Sequence, residues 1–252
     1  MIKNSKKIAL SLIATVAIAT SANADFLGAE VGYAAWSPSL TGTFRGNIAG
    51  NVDIDLERDL GYGGSEANSF MWAYIDHPLP LIPNLKVQKT SYTDSSIKNQ
   101  TITFLGNTYS AGNVTSSITL DQLDVIPYWR ILDNWVNLDI GFNFKSIDGN
   151  IKLSDGVTTD TNKDFSAVIP MLYGKARFDM PFTGLSVEAD VSYLGLGGNS
   201  LSDMKAGIVY ETTFGLGATA GIRKQNLSID DVDGIYSDIN IEGIYAGVFF
   251  HF

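Results

Sequence analysis

The residues Tyr245-Ala246-Gly247-Val248-Phe249-Phe250-His251-Phe252 decide the fold. Ala246, Val248, Phe250 and Phe252 recur at period two and share one face, while Tyr245, Gly247, Phe249 and His251 share the other. A strand with that much aliphatic and aromatic surface on one side suits the lipid-facing wall of a barrel. The same pattern describes an edge strand of a soluble sheet, so the rest of the chain has to choose between them.

The opposite end points to export. Lys3, Lys6 and Lys7 form a basic region, Ile8 to Thr20 carries no charge, and Ala22-Asn23-Ala24 is a small-x-small cleavage site. These are the three parts of a secretory signal peptide. The uncharged run is too short for a membrane anchor helix, which needs roughly 20 residues. Residues 1–24 are therefore expected to be removed after Ala24, leaving residues 25–252 as one barrel domain.

That mature part holds 14 basic against 27 acidic residues, a net charge of -13. Such a balance disfavours nucleic-acid binding. There is no cysteine, so neither a disulfide framework nor a thiol nucleophile is available. No stretch after Thr20 is long and apolar enough for a transmembrane helix. A chain that crosses a membrane without helices has to close a sheet on itself, because open edges in hydrocarbon leave backbone groups unpaired.

Alternation counts the strands. Val136, Leu138, Ile140, Phe142 and Phe144 alternate with Asn137, Asp139, Gly141, Asn143 and Lys145, and Leu185, Val187, Ala189, Val191 and Tyr193 alternate with Ser186, Glu188, Asp190 and Ser192. The polar face is assigned to the lumen. The same period predicts strands near 26–36, 66–76, 85–95, 114–130, 135–149, 163–178, 185–195, 202–212, 216–229 and 235–252. The expectation is an all-β, transmembrane, antiparallel up-and-down barrel of about ten strands, with eight or 12 as alternatives. Twelve would follow if Asn51–Leu56, which also alternates, entered the wall in a hairpin.

Connection lengths support this count. His77–Asn84, Ile131–Asn134, Asp179–Gly184 and Thr213–Gly215 are short, whereas 37–65, 96–113 and 150–162 are long and 196–201 and 230–234 brief. Bacterial barrels keep short turns in the periplasm and longer loops outside. Trp36, Trp72, Trp129 and Trp135 sit near predicted strand ends with Tyr33, Tyr74, Tyr193, Tyr210, Phe178 and Phe252, which suggests two aromatic girdles.

Two resemblances follow from these residues. Gly247, Phe250 and Phe252, with Tyr245 at the polar position, resemble the C-terminal assembly signal of Gram-negative outer-membrane β-barrels. Asp59-Leu60-Gly61-Tyr62-Gly63-Gly64 and Asp76-His77-Pro78-Leu79-Pro80-Leu81-Ile82-Pro83-Asn84 resemble a family of small proteobacterial outer-membrane barrel proteins without an assigned activity. The resemblance implies the cell outer membrane as location, outer-membrane lipid and lipopolysaccharide as surroundings, and the barrel-assembly machinery and periplasmic chaperones as partners. It implies no substrate. Pro78, Pro80 and Pro83 remove three ladder donors, so the segment reads as a rigid turn. The glycine cluster lacks the Lys-Ser/Thr pair and the strand-helix context of a phosphate cradle.

Chemistry is sparsely encoded. A hydrolase needs His beside Ser or a carboxylate, and the two histidines, His77 and His251, both fall at the expected periplasmic end without a suitable neighbour in sequence. No catalytic, cofactor or metal residue is assigned. Asp230-Asp231-Val232-Asp233-Gly234 lacks the ligand spacing of a calcium loop and reads as an Asp-Gly hairpin turn. The lumen charges Glu30, Asp124, Asp139, Lys145, Glu188, Asp190, Lys205, Glu211 and Arg223 form the candidate functional surface. They are expected either to plug the barrel as buried ion pairs or to line a narrow cation-favouring pore. The expected function is thus a monomeric structural barrel or passive pore, not an enzyme. A lipopolysaccharide-acting hydrolase and a barrel passing small apolar molecules laterally are the alternatives.

Overall fold

The structure, a computed structural model, describes residues 28–46, 53–104, 106–110, 112–232 and 235–252; of Gly46, Asp231, Val232 and Ile235 only the backbone is described. The expected signal peptide and the Asp233–Gly234 turn lie outside the described residues. Among the described residues thirteen strands follow in order: β1 (Gly28–Gly46), β2 (Ile54–Asp55), β3 (Asn68–Asp76), β4 (Asn84–Asn99), β5 (Ile102–Phe104), β6 (Asn107–Tyr109), β7 (Asn113–Asp133), β8 (Val136–Ser154), β9 (Thr161–Asp179), β10 (Leu185–Leu196), β11 (Asn199–Glu211), β12 (Leu216–Val232) and β13 (Ile235–His251). Ten of them, all but β2, β5 and β6, pair with their neighbours in antiparallel order, and β13 returns to β1 to close the barrel. The closing ladder runs from Glu30 opposite His251 to Gly46 opposite Ile235.

Outward residues form an apolar belt. On β8 the outward series Val136, Leu138, Ile140, Phe142, Phe144 gives way to Ser146, Asp148, Asn150 and Lys152. Five alternate apolar residues cover the nine-residue crossing that a tilted strand needs. Because β7 has 21 residues and β8 and β9 have 19 each, the wall rises well past the belt. The predicted strands are shorter because the alternation inverts there: polar residues face outward while Ile147, Ile151 and Leu153 face inward, opposite to the belt.

This upper wall is incomplete in two places. β3 ends at Asn68, level with Trp36 of β1 and one residue beyond Ser91 of β4 on its partner's register. The chain's own segment 53–67 fills that gap. β2 pairs with Thr43 and Phe44, the Leu56 amide donates to the Gly42 carbonyl at 2.9 Å, and Leu56, Leu60 and Tyr62 are buried. Ile54–Asp55 therefore lines the rim without becoming a wall strand, and the count stays at ten. The second gap lies above the short β10–β11 hairpin, where β9 pairs with β10 only over 172–179.

Inside, apolar and polar residues separate by height. Trp36, Leu40, Phe70, Tyr92, Ile118 and Leu153, with Ile102, Phe104 and Tyr109 of the β5–β6 hairpin, form one buried cluster filling the long-loop end. Below it the lumen is polar. Tyr33, Trp135, Phe178, Tyr193, Tyr210 and Phe252 stand exposed on the outside as a girdle requires. Trp36, Trp72 and Tyr74 do not. Even positions on β1 and β3 point inward, so Trp36 is buried against Tyr92, and Trp72 and Tyr74 both donate hydrogen bonds to Glu30. Nearness to a strand end was the wrong criterion for them; facing parity decides.

Candidate functional site: the polar lumen

Polar side chains of β7, β8, β11 and β12 meet one another and together cross the lumen. The Lys145 ammonium lies 2.8 Å from Asp124 and 3.0 Å from Asp203, and donates to the Gln122 side chain at 3.0 Å. The Arg223 guanidinium is bidentate on Asp203, at 3.0 and 2.7 Å, and donates to the Thr90 hydroxyl at 2.9 Å. Gln225 donates to Asp203 at 2.8 Å and to Gln122 at 2.9 Å. Asn143 donates to Asp124 and to Ser192. Arg223 also lies 4.9 Å from the rings of both Trp36 and Phe70, so its upper side meets the apolar cluster. Lys145 is 1% and Arg223 0% exposed. Two cations and two carboxylates in mutual contact satisfy one another's charge, which a buried ion needs.

The other candidate charges lie nearer the short turns. Lys86 and Lys205 both reach Asp190 at 3.2 Å, and Lys205 donates to Gln88 at 2.7 Å. Lys175 pairs with Glu188 at 3.0 Å. Arg130 bridges Asp76 and Asp139, and Arg177 bridges Asp179 and Glu211. A cavity of about 150 Å³ runs among Tyr74, Tyr128, Arg130, Asp139, Arg177 and His251 at the short-turn end. A smaller one of about 40 Å³ continues above it beside Glu30, Trp72 and Lys86.

All nine candidate charges thus lie on the lumen side, but in two groups: Asp124, Lys145 and Arg223 in the crossing network, and the other six nearer the short turns, where Glu30, Asp139, Glu188, Lys205 and Glu211 line the cavities and Asp190 pairs with Lys86 and Lys205. Sequence reasoning missed Asp203, Lys86, Lys175 and Arg177, although Asp203 lies two residues from Lys205 and has the same parity. It also placed no acid beside His251, yet the Glu211 carboxylate lies 3.0 Å from its Nδ1, because β11 and β13 flank β12 and Glu211 stands opposite Gly217, which itself stands opposite Phe249. His77 is held in its turn, with Nε2 3.1 Å from the Pro83 carbonyl and Nδ1 accepting from the Leu79 amide.

At the opposite end, a second charged motif organises the rim segment. Asp55 accepts from the amides of Glu57 and Arg58, while Asp59 accepts from the Asp55 amide, from Arg58 and from Gln100. The Arg58 hydrogen bond holds the Asp59 carboxyl down at about 2, below its ordinary 3.8. A depressed folded-state value stabilises the segment above the ordinary value, and that contribution disappears as pH falls from near 4 through 2. Limited proteolysis is expected to leave segment 53–67 intact at pH 7 and to cut it at pH 2, whereas Asp59→Asn is cut at both. Equal resistance of Asp59→Asn at pH 7 would remove Asp59 as the organiser.

No family model matches the chain, and no curated protein matches it in sequence. Among solved structures, the outer membrane protease OmpT from Escherichia coli is similar over 92% of this chain and 98% of its own, with a TM-score of 0.56 and 9% identity. The attachment invasion locus protein Ail of Yersinia pestis aligns over 88% of this chain and 99% of its own, at TM-score 0.42 and 8% identity. A FadL homologue of Pseudomonas aeruginosa aligns over 90% of each chain, at TM-score 0.35 and 8% identity. At such identities the likeness to OmpT is one of fold. With its closed ten-strand ladder and apolar belt, the chain has the architecture of the bacterial outer-membrane β-barrels.

Proposed function

We propose that the protein is an integral outer-membrane barrel with a structural role and a closed lumen. The crossing network carries this reading. Lys145, Arg223, Asp124, Asp203, Gln122 and Gln225 bond to one another across the barrel, and the buried apolar cluster lies directly above them. A hydrated ion would have to break paired charges that are already desolvated and then pass through packed aromatic rings, which argues against the narrow pore. His77 is taken up by turn hydrogen bonds, and although His251 meets Glu211, neither imidazole hydrogen-bonds a serine among the described residues, which favours a non-catalytic protein over a hydrolase.

In this reading the belt meets outer-membrane lipid, with lipopolysaccharide on the long-loop side. Tyr245, Gly247, Phe250 and Phe252 serve export through periplasmic chaperones and the barrel-assembly machinery. Phe250 and Phe252 stand outward and stack edge to face at 4.7 Å, while Tyr245 points into the lumen. In planar lipid bilayers the purified protein is expected to add no current above the lipid baseline at high load. Uniform conductance steps would overturn the closed lumen.

A further inference from the structure

The short-turn end of the barrel is ringed by bare apolar side chains. Each of its four turns supplies one: Leu81 between β3 and β4, Trp135 between β7 and β8, Phe182 between β9 and β10, and Phe214 between β11 and β12. Leu81 is 91% exposed, Phe182 fully exposed, and Trp135 and Phe214 more than half exposed. Water penalises such surface, and it is not scattered singly: Leu79 and Ile82 are exposed in the same turn as Leu81, and Ile131 and Leu132 just before Trp135, a clustering that marks a contact.

Phe182 is also strained. The Thr183 amide donates to the Met180 carbonyl at 3.3 Å, which closes a β-turn with Pro181 and Phe182 at its centre. The φ of Phe182 is 65°, and no other described non-glycine residue has a positive value. That second central position normally belongs to glycine, because a Cβ crowds the backbone there. A bulky ring thus occupies a disfavoured backbone conformation while gaining no packing inside the protein, an outlier that points to a role outside the chain.

The ring continues the belt. The first outward residue after each turn is Leu85, Val136, Leu185 or Leu216, so each turn adjoins an outward apolar residue of the belt. We propose that the four turns are seated in the phospholipid leaflet facing the periplasm, with Leu81, Trp135, Phe182 and Phe214 as lipid contacts, and do not stand free in the periplasm. The proposal rests on the outer-membrane reading above.

The absence of cysteine makes the test direct. Leu81→Cys, Phe182→Cys and Phe214→Cys are each labelled with a polarity-sensitive dye and reconstituted in phosphatidylethanolamine–phosphatidylglycerol vesicles. Ile244→Cys in the belt and Val157→Cys in the β8–β9 turn serve as references, and each protein is first checked for the compact unboiled band. Quenching by nitroxide phospholipid is compared with quenching by iodide present on both sides of the bilayer. The three turn labels are expected to follow Ile244→Cys, with at least threefold less iodide quenching than Val157→Cys. Turn labels that follow Val157→Cys while Ile244→Cys stays shielded overturn the proposal and leave the ring to a soluble partner. Iodide access at Ile244→Cys as well means that the barrel itself is not in the bilayer, and the underlying reading fails with it.

Discussion

Arg223→Ala is expected to lower the unfolding free energy by about 3–5 kcal/mol, because it strands a buried carboxylate. Asp203 accepts both guanidinium hydrogen bonds and also meets Lys145 and Gln225, so it does not escape to water when Arg223 is removed. The lost ring contacts with Trp36 and Phe70 leave a cavity in the same place. Lys224→Ala provides the contrast one residue along β12. Its partner Glu242 lies at a comparable 3.0 Å, but both side chains are well exposed, and such a pair is worth about 0–1 kcal/mol. Urea unfolding in vesicles, followed by tryptophan emission, measures both. Equal costs for the two substitutions would mean that the crossing network does not hold the barrel.

Gly247→Val is expected to abolish most of the compact unboiled band. An added Cβ would sit 2.5 Å from the Tyr33 carbonyl oxygen, 2.7 Å from the Ala34 Cβ and 2.9 Å from its Cα. These are backbone-linked atoms of β1, and no side-chain rotation relieves them. Overpacking costs about 1–3 kcal/mol in an ordinary core, but here the strand that must yield is the one that closes the barrel. A seam that opens leaves backbone donors without partners in hydrocarbon. Ala246→Val, on the outward exposed face, is expected to fold normally. Refolding each purified variant in detergent separates packing from cellular assembly. Failure of Gly247→Val in both settings marks a packing defect, and failure only in cells marks lost recognition of the terminal signal. Wild-type behaviour in both removes the glycine requirement.

Much of the wall was legible because its causes are local. Alternation at period two depends on residues two apart, and a turn such as Pro78–Pro83 stops a strand through its own missing donors. The parity of each strand also follows, and by itself it puts Glu30, Lys145 and Arg223 on the inner face. The same parity read on β1 and β3 would have turned Trp36 and Trp72 inward. Their nearness to predicted strand ends suggested the girdles, and only the assembled barrel shows that an apolar cluster waits for them on the inside.

The pairing of the lumen charges was not legible. Lys86 meets Asp190 across 104 residues, Gln122 meets Gln225 across 103, and Arg223 meets Thr90 across 133. Those contacts depend on the height and the angle at which each strand enters the barrel, and on how far across the lumen a side chain reaches. Local pattern therefore put the strand number near ten, with the facing of most strands and the two kinds of connection, since each is dictated within a few bonds of the residue concerned; only the pairing of Ile54–Asp55 on the rim excluded 12. Which cation finds which carboxylate across the lumen was left to the tertiary structure, because that depends on how ten strands have wrapped into one wall.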